Sequence, residues 1–97
     1  MPLATAENRK IELARFHSVK FGLAINEILP KVGGKTKLAE KVGRTREFVK
    51  KVVEGDAHRI RTETLNELVE AVRPYAGDDH CLVLTSLIKA MKDNPPS

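Results

Sequence analysis

Cysteine and aromatic residues are scarce in this sequence of 97 residues. The single cysteine, Cys81, cannot form an internal disulfide or a metal site with a second cysteine, so a reducing compartment such as the cytoplasm is expected. With no tryptophan and 4% aromatic residues, the core must consist mostly of leucine, isoleucine, valine and alanine. This composition favours packed helices over a β-sandwich.

Long apolar runs are also lacking. No stretch approaches the eighteen or so apolar residues that a membrane-spanning helix needs. Charged residues are spread over the first twenty positions, which argues against a secretory signal peptide. We therefore expect one soluble, cytoplasmic domain over residues 1–97 without a membrane segment, in which residues 94–97 form a disordered tail.

Side chains suited to catalysis or metal binding are scattered. His17, His58 and His80 have no partner at the spacing of metal ligands. The segment 33–36, Gly-Gly-Lys-Thr, ends like a phosphate-binding P-loop, but the first glycine of that motif would fall at Leu29 and a helix is expected before it. We expect neither an enzyme nor a bound metal or other cofactor.

The net charge of +4 is unevenly distributed. Residues 31–61 carry +6, whereas residues 1–30 carry +1 and residues 62–97 carry −3. A basic middle and an acidic end predict one face for a polyanion and another for the chain itself or a partner. The alternative is a solvated basic surface without a ligand.

Five helices, within a range of four to six, are predicted from the periodicity of apolar residues and the positions of glycine and proline. They span residues 6–29, 36–42, 45–54, 62–72 and 78–93. The first is one helix, or two that meet near Gly22, and it should end at Pro30. Thr45 is a good N-cap for the third helix, and Gly43 lies in a turn of about three residues before it.

The fifth helix has more apolar surface than one buried face requires. Its main stripe is Leu84, Leu87, Ile88 and Met91. Cys81, Leu82 and Val83 widen the apolar area beyond that stripe, which favours a dimer contact over simple core packing. Residues 78–93 are therefore expected to be the dimerisation helix.

Residues 35–54 resemble the twenty-residue unit of the Cro/phage-repressor (Xre-like) helix-turn-helix proteins, and the resemblance extends over about residues 20–73. Six positions match: small Ala39 where two helices touch, Gly43 in the turn, and the apolar residues Leu38, Val42, Val49 and Val52. Arg44 departs from the pattern, because the family usually has an apolar residue there. The resemblance implies an all-α, lambda-repressor-like fold in which the second helix of the motif enters the major groove of DNA.

Carried over by position, the base-reading residues would be Thr45, Arg46, Glu47, Lys50 and Lys51. Arg46 is the foremost candidate, because its guanidinium can pair with both acceptors of guanine. Glu47 would either accept from a cytosine amino group or hold Arg46 or Lys50 in place. At least one of Lys50 and Lys51 is expected on phosphate. The other phosphate contacts would be Lys35, Thr36, Lys37, Arg44, Arg59 and Arg61.

The expected function is that of a transcriptional regulator, a repressor or autorepressor, which binds a two-fold symmetric operator in double-stranded DNA as a homodimer. The alternative is a helical protein-interaction module, such as an antitoxin that binds a protein partner. The operator, the regulated gene and any effector do not follow from the sequence.

Overall fold

A computed structural model describes the backbone of residues 6–92 and the side chains of residues 13–92. Five α-helices and one short 3₁₀ turn follow one another: α1 (Ala6–Val32), α2 (Lys35–Val42), α3 (Arg46–Val53), the 3₁₀ turn (Ala57–Arg59), α4 (Thr62–Ala76) and α5 (Asp78–Lys92). No strand occurs among these residues. The predicted all-α bundle of five helices is confirmed, and the predicted tail at 94–97 lies outside the described residues.

Two helices contain a proline and continue beyond their predicted ends at residues 29 and 72. α1 continues past Pro30 to Val32, and α4 continues past Pro74 to Ala76. A proline near a carboxyl-terminal end removes one hydrogen bond of the last turns. Burial of Val32 in the core offsets this loss in α1. The helix then ends at Gly33 and Gly34, whose N–H groups both donate to the carbonyl of Leu29.

α1 is one continuous helix and contacts every other helix of the bundle. Its inner face buries Phe21, Ile25, Ile28 and Leu29. α2 and α3 pack on one part of this face, and α4 and α5 complete the core. α2 and α3 therefore pack on the same helix, α1, on which α5 packs.

The predicted dimer stripe of α5 is wrong for three of its four residues. Leu84, Ile88 and Met91 are buried in the core of the single chain, where α5 packs on α1 and α4, so they are not available to a second copy. Leu87 is half-buried against the same core. Leu82 and Val83, by contrast, are largely exposed.

Candidate nucleic-acid interface

The turn between α2 and α3 has three residues, 43–45, and contains Gly43, as was predicted. Gly43 adopts a left-handed conformation, with φ of 74°, which a residue without a Cβ takes at little cost. The N–H groups of Gly43 and Arg44 donate to the carbonyls of Glu40 and Ala39 at 3.2 and 2.9 Å, which closes α2. Arg44 therefore fits the turn, and its side chain is exposed.

The facing sides of α2 and α3 meet in the core. Leu38 and Ala39 of α2 are buried, as are Val49 and Val52 of α3. Val42 is half-buried and packs against them. Ala39 is 3% exposed, so its small side chain is enclosed by the core on which α2 and α3 pack. Apart from the exposed turn residue Gly43, all the matched positions thus serve the packing of the two helices.

α3 also lies against α1, at Gly22. A Cβ added to Gly22 would lie 2.4 Å from the carbonyl oxygen of Val52 and 2.8 Å from that of Val53. The backbones of α1 and α3 are therefore too close for any side chain there. The sequence indicated only a possible break at Gly22, because a glycine within a helix does not reveal which other segment approaches it.

The outward side of α3 carries the residues predicted to read bases. Arg46, Glu47, Lys50 and Lys51 are all exposed, since Val49 and Val52 take the opposite side of the helix into the core. Thr45 instead caps the helix, because its side-chain oxygen accepts a hydrogen bond from the backbone N–H of Phe48 at 3.3 Å. Its hydroxyl is thus less available to DNA than its position implied.

Glu47 lies close to the basic residues at the start of α3. A groove of about 310 Å³ separates the amino end of α3 from the beginning of α4. It is lined by Arg44, Thr45, Glu47, Phe48, Lys51, Ile60 and Thr64. Glu47 therefore shares this groove with Arg44 and Lys51, where its negative charge lowers the positive potential. Ile60 and Thr64 were not predicted for the site, because no local pattern places the start of α4 beside α3.

The residues predicted to contact phosphate lie on several elements. Lys35, Thr36 and Lys37 form the first turn of α2, where no side chain caps the free N–H groups. Lys37 lies 4.0 Å from Glu40. Arg59 belongs to the 3₁₀ turn and Arg61 precedes α4, and both are exposed.

Arg44 is engaged within the chain. Its guanidinium lies 3.7 Å from a carboxylate oxygen of Glu67 on α4, and both side chains are about half exposed. An ion pair in such contact with water contributes at most about 1 kcal/mol. A phosphate can therefore replace Glu67 as the partner of Arg44 at little cost.

A buried serine holds the connection that follows α3. The Ser18 hydroxyl on α1 donates to the carbonyl of Gly55 at 2.6 Å and accepts from the N–H of His58 at 3.0 Å. Ser18 is fully buried, so these two backbone groups depend on it. Ser18 was not predicted from the sequence. The sequence feature that could have indicated its role is a polar side chain on the inner face of α1, one turn before Phe21.

His58 and Lys92 close the same corner of the molecule. The Lys92 ammonium donates to the carbonyl of His58 at 2.9 Å, and burial lowers the pKa of Lys92. Burial, and secondarily the charge of Arg59, also lowers the pKa of His58. Among the described side chains, the buried Nδ1 atom of His58 has no hydrogen-bond partner. The imidazole is therefore neutral at neutral pH.

The described part of the chain shows neither a metal-ligand group nor a membrane-spanning helix. No group of three histidine, cysteine, aspartate or glutamate side chains within it could hold a metal ion. None of the helices formed by residues 6–92 is long and apolar enough to cross a membrane. Comparisons with protein-family models, curated proteins and solved structures gave no match to the chain.

Proposed function

We propose that this chain is a transcriptional regulator that binds double-stranded DNA through the exposed side of α3. The observation that carries the proposal is the division of α3, which buries Val49 and Val52 and leaves Arg46, Lys50 and Lys51 in solvent. An α-helix with its side chains is about 10–12 Å in diameter, and the major groove is about 12 Å wide and accepts it.

Base reading falls mainly to Arg46. It is the first residue of α3, and the amino-terminal residues of a recognition helix meet base edges. Its guanidinium forms two hydrogen bonds to guanine, whereas Glu47 keeps both of its sequence-based roles, accepting from cytosine or orienting its basic neighbours. Lys50 and Lys51 follow one turn later and contact guanine or phosphate.

Phosphate binding falls to the residues around α3. The uncapped N–H groups at the start of α2, with Lys35, Thr36 and Lys37, form a site for one phosphate. Arg44 binds a second phosphate, which replaces Glu67 as its partner. Arg59 and Arg61 add positive charge beside α4. A homodimer would present two copies of this surface to an operator with two-fold symmetry. By occupying the site of the polymerase, the bound dimer would repress transcription in the cytoplasm.

The first test is the affinity for random duplex DNA at about 50 and 200 mM salt. Neutralisation of about six phosphates predicts a loss of roughly a thousand-fold between these conditions, because bound counterions are released. Fluorescence anisotropy with a labelled duplex measures it. Absence of binding at the lower salt concentration would refute the proposal.

The second test compares two exposed cations on an operator selected from a random DNA pool. Arg46→Ala is expected to cost about 1–3 kcal/mol and to relax the base preference, whereas Lys37→Ala should weaken all sequences alike. Lys89→Ala on the exposed side of α5 is the matched control and should change nothing. Equal losses on operator and random DNA for Arg46→Ala would exclude Arg46 from base reading.

A further inference from the structure

A second surface of the molecule is apolar and uncovered. It consists of Leu13, Phe16 and Leu23 on the outer side of α1 and of Leu82 and Val83 on α5, and we call it the α1/α5 surface. Between 49% and 66% of each of these side chains is exposed. Single exposed apolar residues are ordinary, but five on two adjacent helices form a patch that needs an explanation.

The two halves of the α1/α5 surface are continuous. A groove of about 420 Å³ runs between α1 and α5, and its walls are His17, Leu82, Val83, Ser86, Leu87 and Ala90. The ring of Phe16 packs edge-on against that of His17, with 5.6 Å between ring centres. The outer stripe of α1 therefore leads directly into the groove.

The size of the surface matches a protein contact. A fully exposed large side chain presents on the order of 150–200 Å², so the five at their exposed fractions present on the order of 500 Å². A standard interface takes about 800 Å² from each partner, with a polar rim around its apolar centre. The apolar area of the surface is thus about as large as the apolar share of such an interface.

The charges beside the apolar stripe of α1 indicate what covers it. Lys20 and Glu27 are exposed and lie on the same side of α1 as Leu23, three residues before it and four residues after it. The Lys20 ammonium lies 4.6 Å from the centre of the Phe16 ring. The ion pairs found among the described side chains involve neither Lys20 nor Glu27.

This arrangement is self-complementary. When two copies of α1 cross antiparallel about a two-fold axis near Leu23, Lys20 of each copy faces Glu27 of the other. Leu23 of one copy then meets Leu23 of the other at the axis, as an isologous contact requires. An unrelated partner would have no reason to match this order of charges.

We propose that the α1/α5 surface is the contact between two copies of this chain, with Leu23 near the two-fold axis and Lys20 paired with Glu27 across it. This contact stands in place of the predicted dimer stripe of α5, which is mostly buried in the core of the single chain. The idea that this contact gives an operator complex its two-fold symmetry rests on the proposed function. The association of two chains, by contrast, can be measured without DNA.

The mass of the full chain in solution, by light scattering or sedimentation equilibrium, tests the contact. We expect twice the 10.8 kDa of one chain. Leu23→Lys should give a monomer, because a two-fold contact brings both introduced charges together at the axis. Asn66→Lys, at an exposed position of α4, is the matched control and should remain a dimer. Circular dichroism verifies that both variants fold.

A charge exchange tests the register. Lys20→Glu and Glu27→Lys should each raise the dimer dissociation constant about tenfold, and the double variant should restore it. Residues seven positions apart in one helix are about 10 Å apart along the axis, beyond the reach of an ion pair, so only a second copy can cause the rescue.

The outcomes separate the contact from DNA binding. A chain that keeps the mass of a monomer up to about 1 mM overturns the proposal and assigns the surface to a different protein. A dimer that Leu23→Lys leaves intact overturns it as well, and failure of the double variant to recover overturns the register. None of these results depends on whether Arg46 binds DNA, and a dimer that does not bind duplex DNA would refute only the proposed function.

Discussion

α3 and α1 each bury one side in the same core, but their uncovered sides differ in chemistry. The uncovered side of α3 carries Arg46, Lys50 and Lys51, and that of α1 carries Phe16 and Leu23. Charged side chains are well solvated by water, and they attract a polyanion over about 8 Å. Apolar side chains, by contrast, are stabilised only when another surface covers them. The difference shows that the residues left outside the core, rather than the burial pattern, distinguish a nucleic-acid surface from a protein contact.

The largest effect is expected from breaking the contact between α1 and α3, on which both surfaces depend. Gly22→Ala places a Cβ 2.4 Å from the carbonyl oxygen of Val52, so α1 and α3 must separate. We expect a loss of about 3 kcal/mol in the free energy of unfolding, measured with urea, which exceeds the gain of about 0.5–1 kcal/mol from replacing a glycine in a helix. Asn26→Ala, exposed on the same helix, should be neutral. Unchanged stability of Gly22→Ala would contradict the close approach.

A smaller effect is expected on the α3 side of the comparison. Ser18→Ala leaves the carbonyl of Gly55 and the N–H of His58 without their buried partner. The free energy of unfolding should fall by about 2 kcal/mol, and exchange of the His58 amide proton should accelerate. Denaturation and hydrogen exchange measure these changes, with Thr85→Ala, exposed on α5, as the control. Unaltered exchange at His58 would show that Ser18 does not hold this connection.

The smallest expected effect is a pH dependence on the same side. Burial, followed by the charge of Arg59, holds the pKa of His58 below its ordinary value of 6.5, while Asp56 opposes the shift. The unfolded chain therefore binds more protons in this range, so the stability from His58 is present above pH 6.5 and is lost as the pH falls through the lower pKa of the folded state.

The measurement is the free energy of unfolding between about pH 5 and 7. His58→Asn should reduce its slope, and His17→Asn, in the groove between α1 and α5, is the comparison variant. A slope that His58→Asn leaves unchanged would assign the dependence to another group.

Local features were predictable to within about a residue. The bounds of α2 and α3, the left-handed conformation of Gly43 and the cap at Thr45 follow from the residues themselves and their nearest neighbours. Pro30 shows the limit of such reasoning. Its local preference is to end a helix, but burial of Val32 keeps the chain helical beyond it.

The exposed side of α3 was also predictable, because an amphipathic helix with one apolar side must turn the other to water. The engagement of Arg44 by Glu67 and the place of Thr64 in the groove were not, since they join α3 or its turn to α4. A contact between distant segments leaves no periodic pattern in either segment.

The sequence by itself determined that this chain forms five helices with a basic helix pair in the middle, because helix formation and turn chemistry depend on neighbouring residues. Only the tertiary structure decided which apolar stripe is covered. Leu84, Ile88 and Met91 lie on one side of α5, as Leu13, Phe16 and Leu23 lie on one side of α1, yet the first set is buried and the second exposed. The reason is physical: periodicity shows that a helix has an apolar side, whereas its covering depends on which other helices pack against it.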